Sequence, residues 1–553
     1  MKKQALIQIL ALCIITYILG IFCIPLMDID ATQYASMSRE MLLSRNYLQV
    51  YDLGKDYLDK PPMLFWLSSA SMYLFGIHDW AYRLPSFLFS LLAIYSTYKL
   101  ALLFYKKEIA LLSAIVLASC QAMFLINHDV RTDTMLMGWV AWSIWQLAEW
   151  YQFNKWKNLL LAAVAIAGGM MTKGPLALMI PVFAFVPHFI LKRKWNEFAR
   201  WQYIPLLCMI AILLIPMSIG LYQQFDLHPD KIVAGRKMGS GLRFFYWTQS
   251  FGRITGENTV KENASIFFLF QNMLWSFLPW ILFFLLGLFA AIKNIVQQKF
   301  TLHDNQEAIT LGGFLITYLA LGSSQVQLPH YIFVVFPLAA IITANFLYVL
   351  LFTKKWINWK KPLFVLHVII FSLMWILIIC LIAFPFKNIP IVVSIIAGLC
   401  FVFYLLLTFA KSLQFPKLLA ICFFTTIGIN VFLNTAFYPA LLKYQTGNIA
   451  AKFINDNKLP KEKVFIYGSI MDARNSLFFY GDHFFKTISN SDSIPPGNYL
   501  IISTTDYTDI IKTKPANILF TGKGFPVTKL TFPFINPATR DSELIPFYIV
   551  KIN

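Results

Sequence analysis

Up to about residue 440 the chain is a succession of apolar runs, each parted from the next by a polar connection. A helix needs about 20 consecutive apolar residues to cross a bilayer core. On that measure spans are expected over 5–26, 83–104, 108–127, 134–152, 157–172, 174–191, 203–222, 266–292, 308–322, 329–352, 363–384, 388–410 and 416–438. That is about thirteen transmembrane helices, with the two in 157–191 tightly joined. The segment 61–77 is apolar but short, which suits a helix lying along the membrane interface or a re-entrant one. The pattern changes near Tyr444. Helix-like stretches at 449–457 and 473–480 alternate with strand-like ones at 463–468, 499–503 and 517–521, as in a small α/β domain. The expected organisation is a membrane domain over 1–440, including long loops at 27–82 and 223–265, followed by a soluble α/β domain over 441–553.

Charge gives this map a direction. Lys2 and Lys3 are followed in alternate loops by Lys106 and Lys107, Lys155 and Lys157, Lys192 to Lys194, Lys293 and Lys299, Lys354, Lys355, Lys360 and Lys361, and Lys411 and Lys417. The intervening short loops hold only Arg131, Lys173 and Lys387. Because Lys and Arg are enriched in cytoplasmic loops, the N-terminus is expected inside, and an odd number of spans puts the C-terminal domain outside.

Composition agrees with the pattern: 58% of the 553 residues are hydrophobic and 13% charged, whereas soluble domains carry about 25% charged residues. The net charge of +19 is accounted for by topology-setting loops, and no basic helix or ribbon interleaved with aromatics points to nucleic acid. The seven cysteines lie in or beside apolar runs without a CxxC pair, so they read as small core residues. The run after Met1 is too long for a cleaved signal peptide and lacks a small-residue cleavage site.

Ionisable groups beside a membrane core are costly, so their positions carry information. They collect in the loops expected outside. The first begins Asp28-Ile29-Asp30-Ala31-Thr32-Gln33-Tyr34 and continues to Tyr57-Leu58-Asp59-Lys60-Pro61-Pro62. The next gives His128-Asp129 and Arg131-Thr132-Asp133. Lys173 stands alone before Gly174-Pro175. The long loop supplies His228, Lys231, Arg236, Lys237, Arg243 and Arg253, and the last reads Gln327-Leu328-Pro329-His330-Tyr331. Cations can hold a phosphate, while a carboxylate can accept a proton or stabilise positive character at a reacting carbon. Each residue also has a plain structural reading. A boundary Asp such as Asp28 or Asp129 is ordinarily a cap or a solvated charge. Lys60 and Lys173 serve as well for interface anchors, and Arg236, Lys237 and Arg243 for a solvated loop face.

The order of these elements resembles the GT-C glycosyltransferases, and within them the aminoarabinose-transferase-like family related to protein O-mannosyltransferases. The matching elements are Asp30-Ala31-Thr32-Gln33-Tyr34-Ala35 with Arg39-Glu40, Tyr57 to Pro62, Arg131-Thr132-Asp133, Thr172-Lys173-Gly174-Pro175, Leu278-Pro279-Trp280 and Gln327 to Tyr331. Two positions depart from the family pattern. Ala31 stands where a Glu is usual, leaving Asp30 alone unless Asp28 replaces the partner. Gln327 stands where many relatives have Lys.

The resemblance implies a GT-C fold and an integral membrane glycosyltransferase of the cell envelope. Such an enzyme transfers a sugar, with inversion, from a polyprenyl-phosphate donor to an extracytoplasmic acceptor. A lipid A-like glycolipid, hence lipid A modification, leads the acceptors; a protein or a surface glycan is the alternative. It implies Asp30 and Asp133 as catalytic residues. Lys60, Arg253, Lys173 and Tyr57 would bind the donor phosphate, and Tyr34, Asp59, His330 and Tyr331 would line the cavity. No cofactor and no metal are expected, since the His and Asp scatter lacks ligand spacing. A monomer in the inner (plasma) membrane is expected. A transporter or flippase would call for inverted repeats and mid-membrane charges, and a bare scaffold leaves the charges at the span ends unexplained.

Overall fold

The computed structural model describes residues 3–553 except 234, 238, 250–251, 256–264, 387–389, 411–415, 469–473, 491–493 and 513. Helix occupies every apolar run named above. Among the described residues seven helices are long and apolar enough to cross a membrane by length and composition: Lys3–Cys23, Asp79–Phe104, Tyr203–Asp226, Pro329–Phe352, Ile357–Ala383, Ile391–Phe409 and Lys417–Tyr444. Their surroundings differ. Phe336–Phe352 is enclosed by its neighbours, with Ala339, Ala340 and Leu347 fully buried. Ile391–Phe409 instead presents Ile391, Leu399, Leu406 and Phe409 outward. An outward face that apolar fits hydrocarbon, not water. The chain is a multi-pass helical membrane protein.

Two expected spans are each broken in two. The run 108–127 forms Lys107–Ala118 and Gln121–Ile126, and the run 266–292 forms Phe268–Ser276 and Ile281–Gln297. Pro279, which has no backbone N–H, marks the second break. Backbone groups freed inside a membrane need internal partners, and the two breaks supply them to each other. The Gln121 N–H donates to the Leu278 carbonyl (2.9 Å), the Trp280 indole N–H donates to Ser119 Oγ (3.0 Å), and His367 Nε2 lies 3.1 Å from the Pro279 carbonyl. The side chain of Gln121 also exchanges two hydrogen bonds with Asn430.

The first long loop is not irregular. It holds the helix Asp30–Ser44, a two-residue hairpin pairing Tyr51–Asp52 with Lys55–Asp56, and the helix Met63–Phe75. The last of these answers to the short apolar segment 61–77 and exposes Tyr73 and Leu74.

At the C-terminal end the five strands expected or found are Val464–Tyr467, Lys486–Ile488, Tyr499–Ser503, Ala516–Gly524 and Ile545–Ile552. Across the sheet they run in the order Lys486–Ile488, Val464–Tyr467, Tyr499–Ser503, Ile545–Ile552, Ala516–Gly524; the first three are parallel and the last two antiparallel to their neighbours. Helices Thr446–Asp456 and Arg474–Gly481 pack on this sheet through Ile454, Leu477 and Phe478. Arg474–Gly481 also joins it to the helix Asp30–Ser44. Arg39 donates to the Phe478 carbonyl (2.7 Å) and pairs with Asp482, and Ser36 Oγ donates to the Asn475 carbonyl. The sheet domain therefore sits at the bundle end where the first loop emerges.

Candidate active site

Helix ends assemble the site. Thr132–Phe153 and Trp156–Lys173 form a helical hairpin, so Asp133 in the first turn of one and Lys173 in the last turn of the other share one end of the bundle. Each charge has the sign its helix terminus favours. Gly174 (φ +92°) gives the left-handed turn that Thr172-Lys173-Gly174-Pro175 requires, and Pro175 then opens the helix Leu176–Leu191. Asp30 likewise occupies the first turn of its helix, and Lys60 immediately precedes Pro61-Pro62 and the helix Met63–Phe75.

Two ion-pair clusters result. In the first, the Arg131 guanidinium bridges Asp30 and Asp129, with Nε 3.0 Å from Asp129 Oδ2. Asp129 is buried, while the Asp30 side chain keeps 33% of its surface exposed. In the second, Lys173 pairs with Asp133, whose side chain is only 3% exposed, and His330 Nε2 lies 3.5 Å from the other carboxylate oxygen. The Lys173 ammonium also sits 3.7 Å from the centre of the Tyr331 ring, a cation–π contact. Lys60 is 2.5 Å from Asp59, which accepts a further hydrogen bond from Gln249 (2.7 Å).

Tyr34 and Tyr57 lie between these groups, each packed edge-on against Phe65. Burial first, and then the Asp30 and Asp59 charges, push the Tyr34 phenol well above its ordinary value. Burial does the same to Tyr57, with Tyr34 and those carboxylates adding to it. Both phenols are therefore neutral hydrogen-bond donors at any physiological pH.

Lys60, Lys173, Asp59 and Tyr331 open on one cavity. Its far wall is apolar: Leu176, Met179 and Phe183 form one face of the helix Leu176–Leu191, opposite Leu321 and Phe245. Cations and hydrocarbon thus share one cavity. Among the described residues no group of three His, Cys, Asp or Glu side chains is arranged to hold a metal.

The structure brings together Asp30, Asp133, Lys60, Lys173, Tyr57, Tyr34, Asp59, His330 and Tyr331. Arg253 is different: its backbone belongs to the short helix Gly252–Thr255, and its side chain lies outside the described residues. The two departures from the family pattern have concrete outcomes. Asp28 is no second site carboxylate, because it accepts from Thr32 Oγ1 (2.6 Å) and from Ser476 Oγ of the sheet domain (2.8 Å). Gln327 is turned onto the helix Ile309–Gly322, donating to the Gly322 carbonyl at 2.7 Å.

Arg83 escaped sequence reasoning altogether. Fully buried, it donates to the carbonyls of Ile21, Ile24, Pro25 and His128 (2.6–3.0 Å). It thus ties the end of the first span, just before Asp28 and Asp30, to the loop carrying Asp129, Arg131 and Asp133. An arginine within a 26-residue apolar helix was the signal. Beside it, burial and the Arg83 charge push the His128 imidazole down to about 4, so that ring is neutral.

This architecture defines the chain as a polytopic helical protein of the GT-C fold with a C-terminal α/β domain. Along all of its length it shares that fold with ArnT from Cupriavidus metallidurans bound to undecaprenyl phosphate (TM-score 0.75, 16% identity, covering 100% of this chain and 98% of that one). It shares it more distantly with an oligosaccharyltransferase from Archaeoglobus fulgidus (TM-score 0.51, 12% identity, 92% and 71% covered).

In sequence it resembles the undecaprenyl phosphate-alpha-4-amino-4-deoxy-L-arabinose arabinosyl transferases. It is 29% identical to that of Erwinia tasmaniensis over 257 residues, 46% of this chain and 44% of the relative. It is 27% identical to the second such enzyme of Sodalis glossinidius over 343 residues, 61% and 58%. The chain thus spans about half the length of these relatives. Residues 59–219 match the family model of dolichyl-phosphate-mannose-protein mannosyltransferases.

Proposed function

We propose that this protein is a membrane glycosyltransferase that moves a sugar from a polyprenyl-phosphate donor to an extracytoplasmic acceptor, with a lipid A-like glycolipid the leading candidate. One observation carries the reading: a single cavity joins two lysines, Lys60 and Lys173, to an apolar wall continuous with the helix bundle. A phosphate headed by a sugar and tailed by a prenyl chain has that polarity. The sequence relatives, named as undecaprenyl phosphate-aminoarabinose transferases, support the donor class.

In this reading an acceptor oxygen attacks the anomeric carbon as the bond from that carbon to the donor phosphate oxygen breaks, and one displacement inverts the configuration. Lys60 and Lys173 neutralise the departing phosphate, with Arg253 from the long loop as a third cation. Tyr57 and Tyr34 donate hydrogen bonds to the phosphate or sugar. Asp30, the exposed carboxylate, takes the proton of an acceptor hydroxyl, or orients a phosphate acceptor that has none to lose. Asp133 fixes Lys173 and His330 at the rim. We take 1–440 as the catalytic unit and 441–553 as an extracytoplasmic domain roofing the same end, in the inner membrane with the N-terminus inside.

The test is a membrane assay with synthetic polyprenyl-phosphate sugars, comparing the wild-type protein with Asp30→Asn and Lys60→Ala. Transfer by the wild type and its loss in both variants is expected; full turnover by both sinks the site assignment. A reporter fused after Tyr444 should be found outside the cell membrane, and cytoplasmic exposure there overturns the orientation.

A further inference from the structure

A second cavity lies at the other end of the bundle. The helix Ile309–Gly322 runs between the two: Thr310 and Leu311 in its first turn line this second cavity, Ala320 and Leu321 in its last turn the first. Fourteen helical residues put the cavities roughly 20 Å apart. Among the described residues, none assigned above to sugar transfer lines the second one.

Its lining divides by chemistry. At the mouth stand Lys293 and Lys355, neither with an acidic partner among the described residues. Beside them the Asn294 and Asn345 carboxamides line the same space with no side-chain hydrogen bond among the described residues. Glu307 is the one carboxylate in the lining among the described residues, and it is already engaged. It accepts from Tyr105 Oη (2.5 Å), Thr310 Oγ1 (2.6 Å) and the Thr310 N–H (2.9 Å). Among the described residues two cations are thus left to face a ligand, together with the carboxamides of Asn294, Asn345, Gln297, Gln298 and Asn305. Deeper in, the walls turn apolar. Gly287 brings the helix Ile281–Gln297 against Phe336–Phe352 so closely that an added Cβ would meet Phe346 Cβ at 3.0 Å and the Ile342 carbonyl at 3.1 Å. From Asn294 back to Gly287 the wall descends about 10 Å.

We propose that this cavity is a binding site for a phospholipid with an anionic headgroup, at the membrane face opposite the sugar-transfer cavity. The phosphate sits between Lys293 and Lys355, the headgroup hydroxyls meet Asn294 and Asn345, and the acyl chains lie along the apolar lining of Ala290, Ala291 and Val349, short of the Gly287 contact. Paired cations on the lysine-rich side of a bundle are the usual electrostatic complement of anionic lipid. A free phosphate shares the headgroup's chemistry but has no use for the apolar wall, so the two are separable. The site stands independently of the proposed transfer reaction.

The experiment uses delipidated full-length protein in an uncharged detergent, with the unfolding temperature and native mass spectra as readouts. The probes are short-chain phosphatidylglycerol and, separately, inorganic phosphate. The lipid should raise the unfolding temperature by several degrees and appear as a bound adduct, while inorganic phosphate at the same concentration does neither. Lys293→Gln/Lys355→Gln should lose most of the shift and the adduct, and Lys60→Ala, at the opposite end, should keep both. An equal shift in the double variant overturns the site, and an equal shift from inorganic phosphate overturns the lipid. Should the double variant fail to fold, Lys293→Gln and Lys355→Gln made singly must each weaken the shift and the adduct; undiminished binding by both overturns the proposal.

Discussion

Asp30 and Asp133 each begin a helix at the same end of the bundle and each pair with a cation, yet they are set up for different work. Asp133 is sealed in, its charge shared between Lys173 and His330. Asp30 shares Arg131 with Asp129 and keeps a third of its surface open. A carboxylate that must meet an incoming acceptor needs that opening, whereas one that holds a lysine in place is better without it. In the proposed reaction this difference in burial and partners makes Asp30 the reacting group and Asp133 the positioning group.

The sharpest way to break this comparison is to remove the buried charge. Asp133→Asn leaves the Lys173 ammonium, whose side chain is only 13% exposed, without its counter-charge. Breaking a buried pair from one side costs about 3–5 kcal/mol, so a large drop in the unfolding temperature of detergent-solubilised protein is expected. Asp133→Asn/Lys173→Met, which removes both charges, should recover most of it. A single variant as stable as the wild type would show that the pair is not buried in the way described.

Asp30→Asn should do the opposite, changing rate far more than stability, because its pair with Arg131 is partly solvated and Arg131 retains Asp129. Loss of a general base costs at least about 100-fold, or ~2.7 kcal/mol in the barrier. Single-turnover rates with a hydroxyl acceptor, alongside thermal unfolding of the same sample, check the split. If instead the acceptor is a phosphate, the rate falls much less, which would identify the acceptor class.

How much of this was readable in the chain depends on the distance over which each feature acts. The apolar helices and three of the five strands of the C-terminal sheet follow from local patterns, and the turn at Thr172-Lys173-Gly174-Pro175 from its glycine and proline. Charges near spans also announce themselves, which is why Asp30, Lys60, Asp133 and Lys173 could be singled out. What they pair with could not be read, since Asp30 meets Arg131 across 101 residues and Asp133 meets Lys173 across 40. The two broken spans were hidden because apolar sequence continues through both breaks; only their mutual hydrogen bonding makes the interruptions tolerable. The helix Asp30–Ser44 shows no clear apolar stripe, because Ala, Ser, Thr, Tyr and Arg39 share its buried face with Met37 and Met41. The strand Ile545–Ile552, fourth of the five across the C-terminal sheet, carries Pro546 near its start, and a proline argues against an interior strand.

The smallest expected effect tests the tyrosines between the two carboxylates. Tyr57 is held neutral by burial and by the surrounding negative groups, so its contribution is one donated hydrogen bond. A single such bond is worth about 0.5–1.5 kcal/mol, and Tyr57→Phe should slow transfer by roughly 2- to 10-fold. The sign of the pH effect follows from the direction of the shift. A phenol raised above its usual value stays protonated through the alkaline range, so the alkaline limb of the rate profile cannot be its ionisation. Wild type and Tyr57→Phe should therefore give parallel pH–rate profiles, offset by a constant factor. A variant whose alkaline limb disappears would mean that the Tyr57 phenol ionises during turnover, and that the negative groups around it are screened once the donor binds.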